Sequence, residues 1–378
     1  MKPRFMAILV LILFIFTLIN YYIGWHGKLL ISQILGVPIN LGYWFCFWIL
    51  AFSYLISRLG HRYLPLFITQ LLKIVGSYWL AVITYSLLLL PIIDIAAWIM
   101  GLYKIEANVY VPLLGSIFIG LLTAIMWRGS WNARNPIVRK YELIIPKAAG
   151  NMKQLRIAVA SDLHLGTIVS NSHLELLVKQ IRDLKPDLIL LPGDIIDDDI
   201  EPFIRLGMAE RMKELKAPLG TYAVLGNHEY IGGKIKEFVE QMKAIHIDVL
   251  MDHSLKIANS FYVIGRKDRS AGVKGRLGLE ELLKEVDPAL PLILMDHQPY
   301  HLDQSAAYGI DLQLSGHTHR GQMAPFHWIT KRLYELDWGY LKKGSMHTIV
   351  SSGYGSWGPP IRLGSRSEIV DIVIQFKP

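Results

Sequence analysis

The chain has 378 residues, 52% of them hydrophobic, a single cysteine and a net charge of +8; its mean hydropathy is +0.33. Positive mean hydropathy is unusual for a soluble enzyme, and one cysteine excludes an internal disulfide framework. Residues 1–140 hold eleven Lys or Arg against only Asp94 and Glu106, so the basic balance reports membrane flanks and not a nucleic-acid surface.

Four stretches free of Lys, Arg, Asp and Glu lie within residues 5–27, 29–57, 74–93 and 107–127. Each can supply the ~20 apolar residues of a bilayer-spanning helix. The third has room to extend past Pro91 and Asp94 toward Gly101. Lys2 and Arg4 give the first stretch the start of a secretory signal. Its apolar core is too long for one, and Asn20-Tyr21-Tyr22 offers no small-residue cleavage site, so it reads as a retained anchor. Cys46 falls in the second stretch and reads as a small buried hydrophobe. Asp94, near a span end beside Pro91, reads as an interfacial helix terminus in preference to an ion site.

Cationic residues flank these stretches unevenly. Lys2 and Arg4 precede the first, Arg58, Arg62 and Lys73 lie between the second and third, and Arg128, Arg134, Arg139 and Lys140 follow the fourth. The opposite side holds only Lys28 and Lys104. This asymmetry predicts a multi-pass protein of the cell membrane with both termini, and the second half of the chain, in the cytoplasm.

Residues 128–153 are a polar composition break. They divide the chain into a transmembrane region with four spans (1–130), a linker (131–153) holding a strand candidate at 141–145, and a second domain (154–378). From residue 155 onward, apolar runs alternate with helical spacing. The runs at 157–160, 188–191, 222–225, 292–295 and 312–314 read as strands, and 349–350 and 369–376 as closing strands. Residues 173–184, 203–215 and 235–245 have helical periodicity. Such alternation predicts an α/β sheet with helices on its faces, and ligands in such sheets collect outside the carboxyl ends of the strands.

Five blocks sit after those runs: Asp162-Leu163-His164, Gly193-Asp194-Ile195-Ile196-Asp197, Gly226-Asn227-His228-Glu229, His297, and Gly316-His317-Thr318-His319. No block is specific alone. Together they supply carboxylates, imidazoles and an amide oxygen in a fixed order. Hydrolysis of a phosphate ester needs a strong nucleophile at neutral pH and positive charge where the transition state gathers negative charge. Two divalent ions ~3.5–4 Å apart supply both. Bridging two cations calls for an anionic oxygen, and Asp194 suits that place. Mixed oxygen and nitrogen donors without thiolate fit Mn, Fe or Zn.

The order Asp-x-His, Gly-Asp-x-x-Asp, Gly-Asn-His-Glu, His, Gly-His-x-His resembles the calcineurin-like metallophosphoesterase family over residues ~155–378. Within it, the chain looks most like the membrane-anchored bacterial branch that includes UDP-diacylglucosamine pyrophosphatase-like proteins. The resemblance implies an αββα sandwich behind a four-helix transmembrane region. It implies one metal held by Asp162, His164, Asp194 and His319, and a second by Asp194, Asn227, His297 and His317. It makes His228 the group that meets the phosphate or protonates the leaving oxygen, with Asp197 holding its ring cationic. Asn227 and His228 would also contact substrate. Arg320 follows His319 where that branch often has Gly, and reads either as a phosphate contact or as a solvent-facing side chain.

Other features are weaker. Gly353-Tyr354-Gly355-Ser356-Trp357-Gly358 matches a dinucleotide fingerprint, but Pro359-Pro360 follows it and no helix does, so it reads as a tight turn beside the site. Asp198 and Asp199 read as a solvated acidic run. Residues 323–343 mix Phe326, Trp328, Tyr334, Trp338 and Tyr340 with Lys331, Arg332, Lys342 and Lys343. They are either a headgroup-level surface or a packed excursion of the sandwich. Arg266, Lys267, Arg269, Lys274 and Arg276 are either a headgroup contact or an exposed loop. The resulting expectation is a membrane-anchored, metal-dependent hydrolase of a phosphate ester or pyrophosphate. Its partners would be the bilayer and a phosphorylated, lipid-linked substrate such as UDP-diacylglucosamine. The alternatives are a phosphodiesterase or nuclease for soluble substrates, which the near-neutral second half disfavours, and a non-catalytic membrane sensor of metal or phosphate.

Overall fold

The computed structural model describes residues 3–37, 41–60, 63–272 and 275–377. Lys2, Arg62 and Lys274 of the charge readings lie outside the described residues. The chain divides into two compact units, Met1–Arg128 and Gly129–Pro378.

The first unit is built from α1 (Pro3–Leu35), α2 (Leu41–Gly60), α3 (Leu66–Leu102) and α4 (Ala107–Arg134), whose last turn belongs to the second unit. At ~1.5 Å per residue, even the 20 residues of α2 reach about the thickness of a bilayer core. All four are long and apolar enough to cross a membrane. Most of their large hydrophobic side chains face outward, as a lipid solvent permits. Cys46 is among the exposed residues, contrary to the buried reading. A Cβ on Gly76 would lie 2.4 Å from the Tyr54 backbone nitrogen, so that glycine lets α2 and α3 pack closely. Helix α3 continues through Pro91 to Leu102, so Asp94 sits inside the helix and not at its terminus.

The second unit has two six-stranded sheets. Its strands are β1 (Ile137–Ile145), β2 (Gln154–Val159), β3 (Leu188–Pro192), β4 (Thr221–Val224), β5 (Asp248–Val249), β6 (His253–Ile257), β7 (Phe261–Gly265), β8 (Leu292–Met295), β9 (Leu312–Ser315), β10 (Gly339–Lys343), β11 (Met346–Val350) and β12 (Glu368–Phe376). One sheet has the order β1-β12-β2-β3-β4-β5 and the other β10-β11-β9-β8-β7-β6.

The burial pattern explains the apolar runs. In β3, Leu188 and Leu190 join the core between the sheets, while Ile189 and Leu191 meet the outer helices. A strand covered on both faces loses polar alternation and reads as a continuous hydrophobic run. The inter-sheet core also takes Ile157, Val159, Val263, Ile293, Leu314 and Ile372. Helix Asn171–Leu184 presents Leu174, Leu177 and Ile181 to the outer face of the first sheet. Helices Leu279–Leu282 and Leu302–Ala307 cover the second sheet through Leu279, Leu282 and Leu302. The result is a four-layer αββα sandwich, as the sequence predicts.

Two expectations need correction. The stretch 131–153 is not a linker. Its residues 137–145 form β1, which pairs in parallel along its whole length with β12, from Ile137↔Glu368 to Ile145↔Phe376. Leu143 and Ile145 are buried in the inter-sheet core. Lys140 and Glu142 alternate with these and face outward, which gives the strand its linker-like composition. The helix expected over 203–215 is broken into Ile200–Arg205 and Met208–Met212, because Gly207 adopts a left-handed conformation between them.

This correction has a measurable consequence. A soluble fragment starting at residue 154 strips β1 from β12 and uncovers apolar core, at ~1.5–3 kcal/mol for each fully buried side chain. It should melt well below a fragment starting at residue 129, or aggregate. Equal melting temperatures in paired calorimetry scans would show β1 to be dispensable.

Candidate dinuclear metal centre

All five sequence blocks fall just beyond the carboxyl ends of strands. Asp162 and His164 follow β2, Asp194 follows β3, Asn227 and His228 follow β4, His297 follows β8, and His317 and His319 follow β9. Strands β2, β3 and β4 are mutually parallel, as are β7, β8 and β9, so the loops emerge at a shared end of each sheet.

The backbone there is tightly specified. Asp162, His164, Asp194, His317, His319 and Arg320 all have positive φ, between 47° and 71°. Such conformations cost ~1–3 kcal/mol each in non-glycine residues and persist only where the surroundings over-determine them. The surroundings are visible. The Asp162 and His164 amides donate to the carbonyls of Gly193 and Asp194, each at 3.0 Å. The His317 amide donates to Asp162 Oδ1 at 2.8 Å, and the His228 amide to Asp194 Oδ1 at 2.9 Å. Asp194 thus aims Oδ1 at a neighbouring loop and leaves Oδ2 for the centre, while Asp162 Oδ1 both takes the His317 amide and faces His319. Gly226 and Gly316 make room for them, since a Cβ on either would fall 2.1 Å from a carboxylate oxygen of Asp194 or Asp162.

The side chains converge into two overlapping sets. In the first, His164 Nε2 lies 3.0 Å from His319 Nε2 and 3.9 Å from Asp194 Oδ2, and His319 Nε2 lies 3.5 Å from Asp162 Oδ1. In the second, His297 Nε2 lies 3.1 Å from Asp194 Oδ2 and 3.3 Å from Asn227 Oδ1, which is 2.7 Å from His317 Nδ1. Asp162, His164 and His319 form one group able to hold a metal ion, and Asp194, His297 and His317 another. Asp194 also groups with His164 and His228, so its carboxylate faces both sets.

Burial and charge favour the protonation states that ligands require. Burial pushes His164 and His317 down to about 4 and holds His319 well below the usual range, so these imidazoles are neutral. Burial opposes ionisation of Asp194, but His297, which that carboxylate in turn holds cationic well above its usual range, outweighs it and keeps the carboxylate ionised; a metal would displace the His297 proton. The buried Asp162 Oδ2 has no hydrogen-bond partner in the protein. Neutral imidazoles, an ionised shared carboxylate, an amide oxygen and an orphaned carboxylate oxygen fit two divalent ions.

His228 belongs to a different cluster. Its Nδ1 is 2.7 Å from Asp198 Oδ1 and 3.7 Å from Asp197 Oδ1. Burial lowers its pKa, but Asp198, Asp194 and Asp197 more than compensate and push it up to about 9. The closer carboxylate is therefore Asp198 and not the expected Asp197. Asp198 is not part of a solvated run; only Asp199 is exposed, and it caps helix Ile200–Arg205 by accepting the Glu201 amide.

Sequence reasoning gave no role to Glu229. It is buried, and its carboxylate accepts the amides of Asp194, Ile195, Ile196 and Gly226 at 3.2, 2.7, 3.0 and 2.7 Å. One side chain thus ties the β3 loop to the β4 loop. Its signal was its position three residues after the helix N-cap Gly226, the spacing of a capping box. Arg362 was also missed. Fully buried, it donates to the Ser352 and Gly355 carbonyls at 2.7 and 2.5 Å and reaches His319 Nδ1 at 3.1 Å. It fixes the 353–358 turn, where Gly355 N donates to Asp162 O at 2.8 Å, beside the centre as the sequence predicts. Arg320 does not simply face solvent: its guanidinium stacks on Trp338 at 4.0 Å. Three of the described cations of the basic cluster are held in ion pairs, while Arg269 is exposed. Arg266 and Arg276 both bind Asp296, and Lys267 pairs with Asp252.

Substitution of Gly226 by Ala drives a methyl group into Asp194. The variant should fold with unchanged circular dichroism yet hold far less metal than the parent by elemental analysis. A full metal complement would mean that the loop yields without moving the carboxylate.

Comparisons with known proteins agree with this geometry. The calcineurin-like phosphoesterase family matches residues 155–321. An uncharacterized metallophosphoesterase of Aquifex aeolicus (strain VF5) is 35% identical over 232 residues, which cover 59% of this chain and 86% of that protein. A transmembrane protein with metallophosphoesterase domain from Bos taurus is 30% identical over 69% of this chain and 60% of its own length. The Danio rerio protein of the same description is 31% identical over 64% of this chain and 58% of its own length. The chain therefore spans less than two thirds of those two vertebrate relatives. The apolar helices, the sandwich, the two ligand groups and these likenesses are mutually consistent, and the chain belongs to the calcineurin-like metallophosphoesterase family.

Proposed function

We propose that this chain is a membrane-anchored hydrolase of phosphate esters or pyrophosphates that works with two divalent ions of Mn, Fe or Zn. The convergence of six further ligand-type side chains on the Asp194 carboxylate carries this reading. Asp162, His164, Asp194 and His319 would hold one ion, and Asp194, Asn227, His297 and His317 the other. Bound there, the ions would acidify a water and neutralise charge on the phosphoryl oxygens.

The chain's own residues do the remaining work. Asp194 would offer its ionised carboxylate to both ions. Asn227 contributes a neutral oxygen, which limits repulsion among the carboxylates. His228, held cationic by Asp198 with Asp197 behind it, donates a proton to the leaving oxygen. A pure sensor has no use for such an acid. Arg320, whose flat face rests on Trp338, keeps its N–H edges for a phosphate oxygen.

The substrate we favour is lipid-linked, of the type of UDP-diacylglucosamine. The four spans support this, as does helix His327–Leu333, which exposes Trp328, Ile329 and Leu333 together with Lys331 and Arg332. That mixture suits a headgroup-level surface. Trp338 supports it less, because its ring lies against Arg139 and Arg320 and its N–H donates to Glu368. The cationic flanks of the spans support a cytoplasmic catalytic half.

Detergent-solubilised protein supplied with metal should hydrolyse bis-p-nitrophenyl phosphate. His228→Ala should retain both ions and lose ~10²–10⁴-fold in turnover, the usual worth of a general acid. Parallel loss of metal and activity would remove that role. Asp194→Ala should lose both ions, so a variant still binding two would unseat the bridge.

Double replacement of Trp328 and Leu333 by Ala should impair hydrolysis of a lipid pyrophosphate in mixed micelles far more than that of p-nitrophenyl phosphate. Equal impairment of both substrates would argue against lipid presentation by this helix.

A further inference from the structure

The first unit contains a cavity of about 440 Å³ lined by all four helices. Its size falls in the ~300–1,000 Å³ range of small-molecule sites, and its walls are almost wholly apolar. On α3 the lining forms one stripe, Trp79, Val82, Ser86, Leu90 and Asp94, at helical spacing. Fifteen residues at ~1.5 Å each make this slot about 22 Å long. One end is polar. Asp94 Oδ2 accepts the Tyr22 hydroxyl at 2.5 Å, and Asp94 Oδ1 lies 3.3 Å from His26 Nε2. The Asp94 side chain remains 45% exposed, so its acceptor oxygens are not fully enclosed by these partners. Further along, Ser86 is completely buried, lines the slot and has no hydrogen-bond partner for its Oγ.

A carboxylate within a spanning helix is tolerated where it is paired, reaches the headgroup level or serves a ligand. Asp94 lies eight residues before the end of α3, about 12 Å along the axis. That helix has 37 residues, well beyond the ~20 needed to cross, so Asp94 sits toward the headgroup end while the apolar slot runs inward. An apolar tube with an acceptor at its interfacial mouth has the polarity of an oriented amphiphile.

We propose that the membrane unit binds one amphiphile, its single apolar chain lying along the α3 stripe and its hydroxyl or amine head donating to Asp94. The site belongs to the four helices alone and is independent of the reading of the metal centre. A head carrying a carboxylate or phosphate would meet the Asp94 charge and is excluded.

Native mass spectrometry on the full-length protein in nonionic detergent tests this with three probes: hexadecylamine, monopalmitoylglycerol and palmitate. The amine and the glycerol should each be retained at one equivalent, and palmitate at least ~tenfold more weakly, because like charges oppose each other. Leu114→Trp on α4 should fill the slot and abolish retention. Val82→Phe, from the opposing α3 wall, does the same with a smaller intrusion. Each variant is compared only if its elution volume and helical circular dichroism match the parent. Asp94→Asn should leave the glycerol bound and bring amine and palmitate to similar affinity. Equal retention of all three probes by the parent, or retention that survives both blocking variants, would overturn the proposal and show adsorption to the outer surface of the helices.

Discussion

The second unit is organised around a repulsion. Asp162, Asp194, Asn227 and four imidazoles crowd into a space where their polar atoms lie 2.7–3.9 Å apart, with only His297 held cationic among them. Acceptors this close, and mostly dry, disfavour one another unless cations separate them. The protein accepts further cost to hold them there, in six non-glycine residues at positive φ. Such strain requires rigid neighbours. The four amide bonds to Glu229, and the bonds from the His317 and His228 amides to the two aspartates, are those neighbours. A loop free to relax would lose the arrangement, because relaxation is the downhill direction when no ion is bound.

The sandwich makes rigidity possible at that place and not elsewhere. Parallel strands release their loops at one end, and a core shared by two sheets fixes those ends relative to each other. Leu314 of β9 and Val159 of β2 belong to the same cluster, although the residues they precede come from different sheets. Packing of large apolar side chains thus sets the distance between Asp162 and His319. The buried Arg362 adds a polar tie from the chain's last loop, reaching His319 and Gly355 together.

Much of this could be read from the sequence, for definite reasons. Ligand residues recur in fixed order after doubly buried strands, and both features are local. Four charge-free stretches are likewise local, and each appears as a helix. What escaped the sequence depended on partners far along the chain. β1 has the composition of a linker, and only β12, over two hundred residues later, makes it a strand. Asp197 and Asp198 are adjacent carboxylates that no spacing rule can rank, and the course of the chain into helix Ile200–Arg205 turns Asp198 toward His228. Glu229 lay inside a quoted block, yet its task is backbone organisation, which no side-chain chemistry announces. The hairpin of β6 and β7 was unread because its residues alternate weakly.

The disposition of charge separates catalytic from architectural acids. Several carboxylates of the second unit are paired with cations: Glu368 with Arg139, Asp371 with Arg156, Asp311 with Lys147, and Asp296 with Arg266 and Arg276. These pairs explain why a unit with so many Lys and Arg residues offers little basic surface to a polyanion. Asp162 and Asp194 differ. Among the ion pairs of the described residues, their only partners are histidines. The nearby Arg362 guanidinium spends its hydrogen bonds on backbone carbonyls and His319 and, among the described residues, forms no ion pair with either aspartate. With Lys and Arg ion pairs kept for architecture elsewhere, Asp162 and Asp194 stay available to metal, which would displace the proton that His297 holds against Asp194. The ions that they collect, with Arg320 and the cationic His228 beside them, would supply the pull on an anionic phosphate.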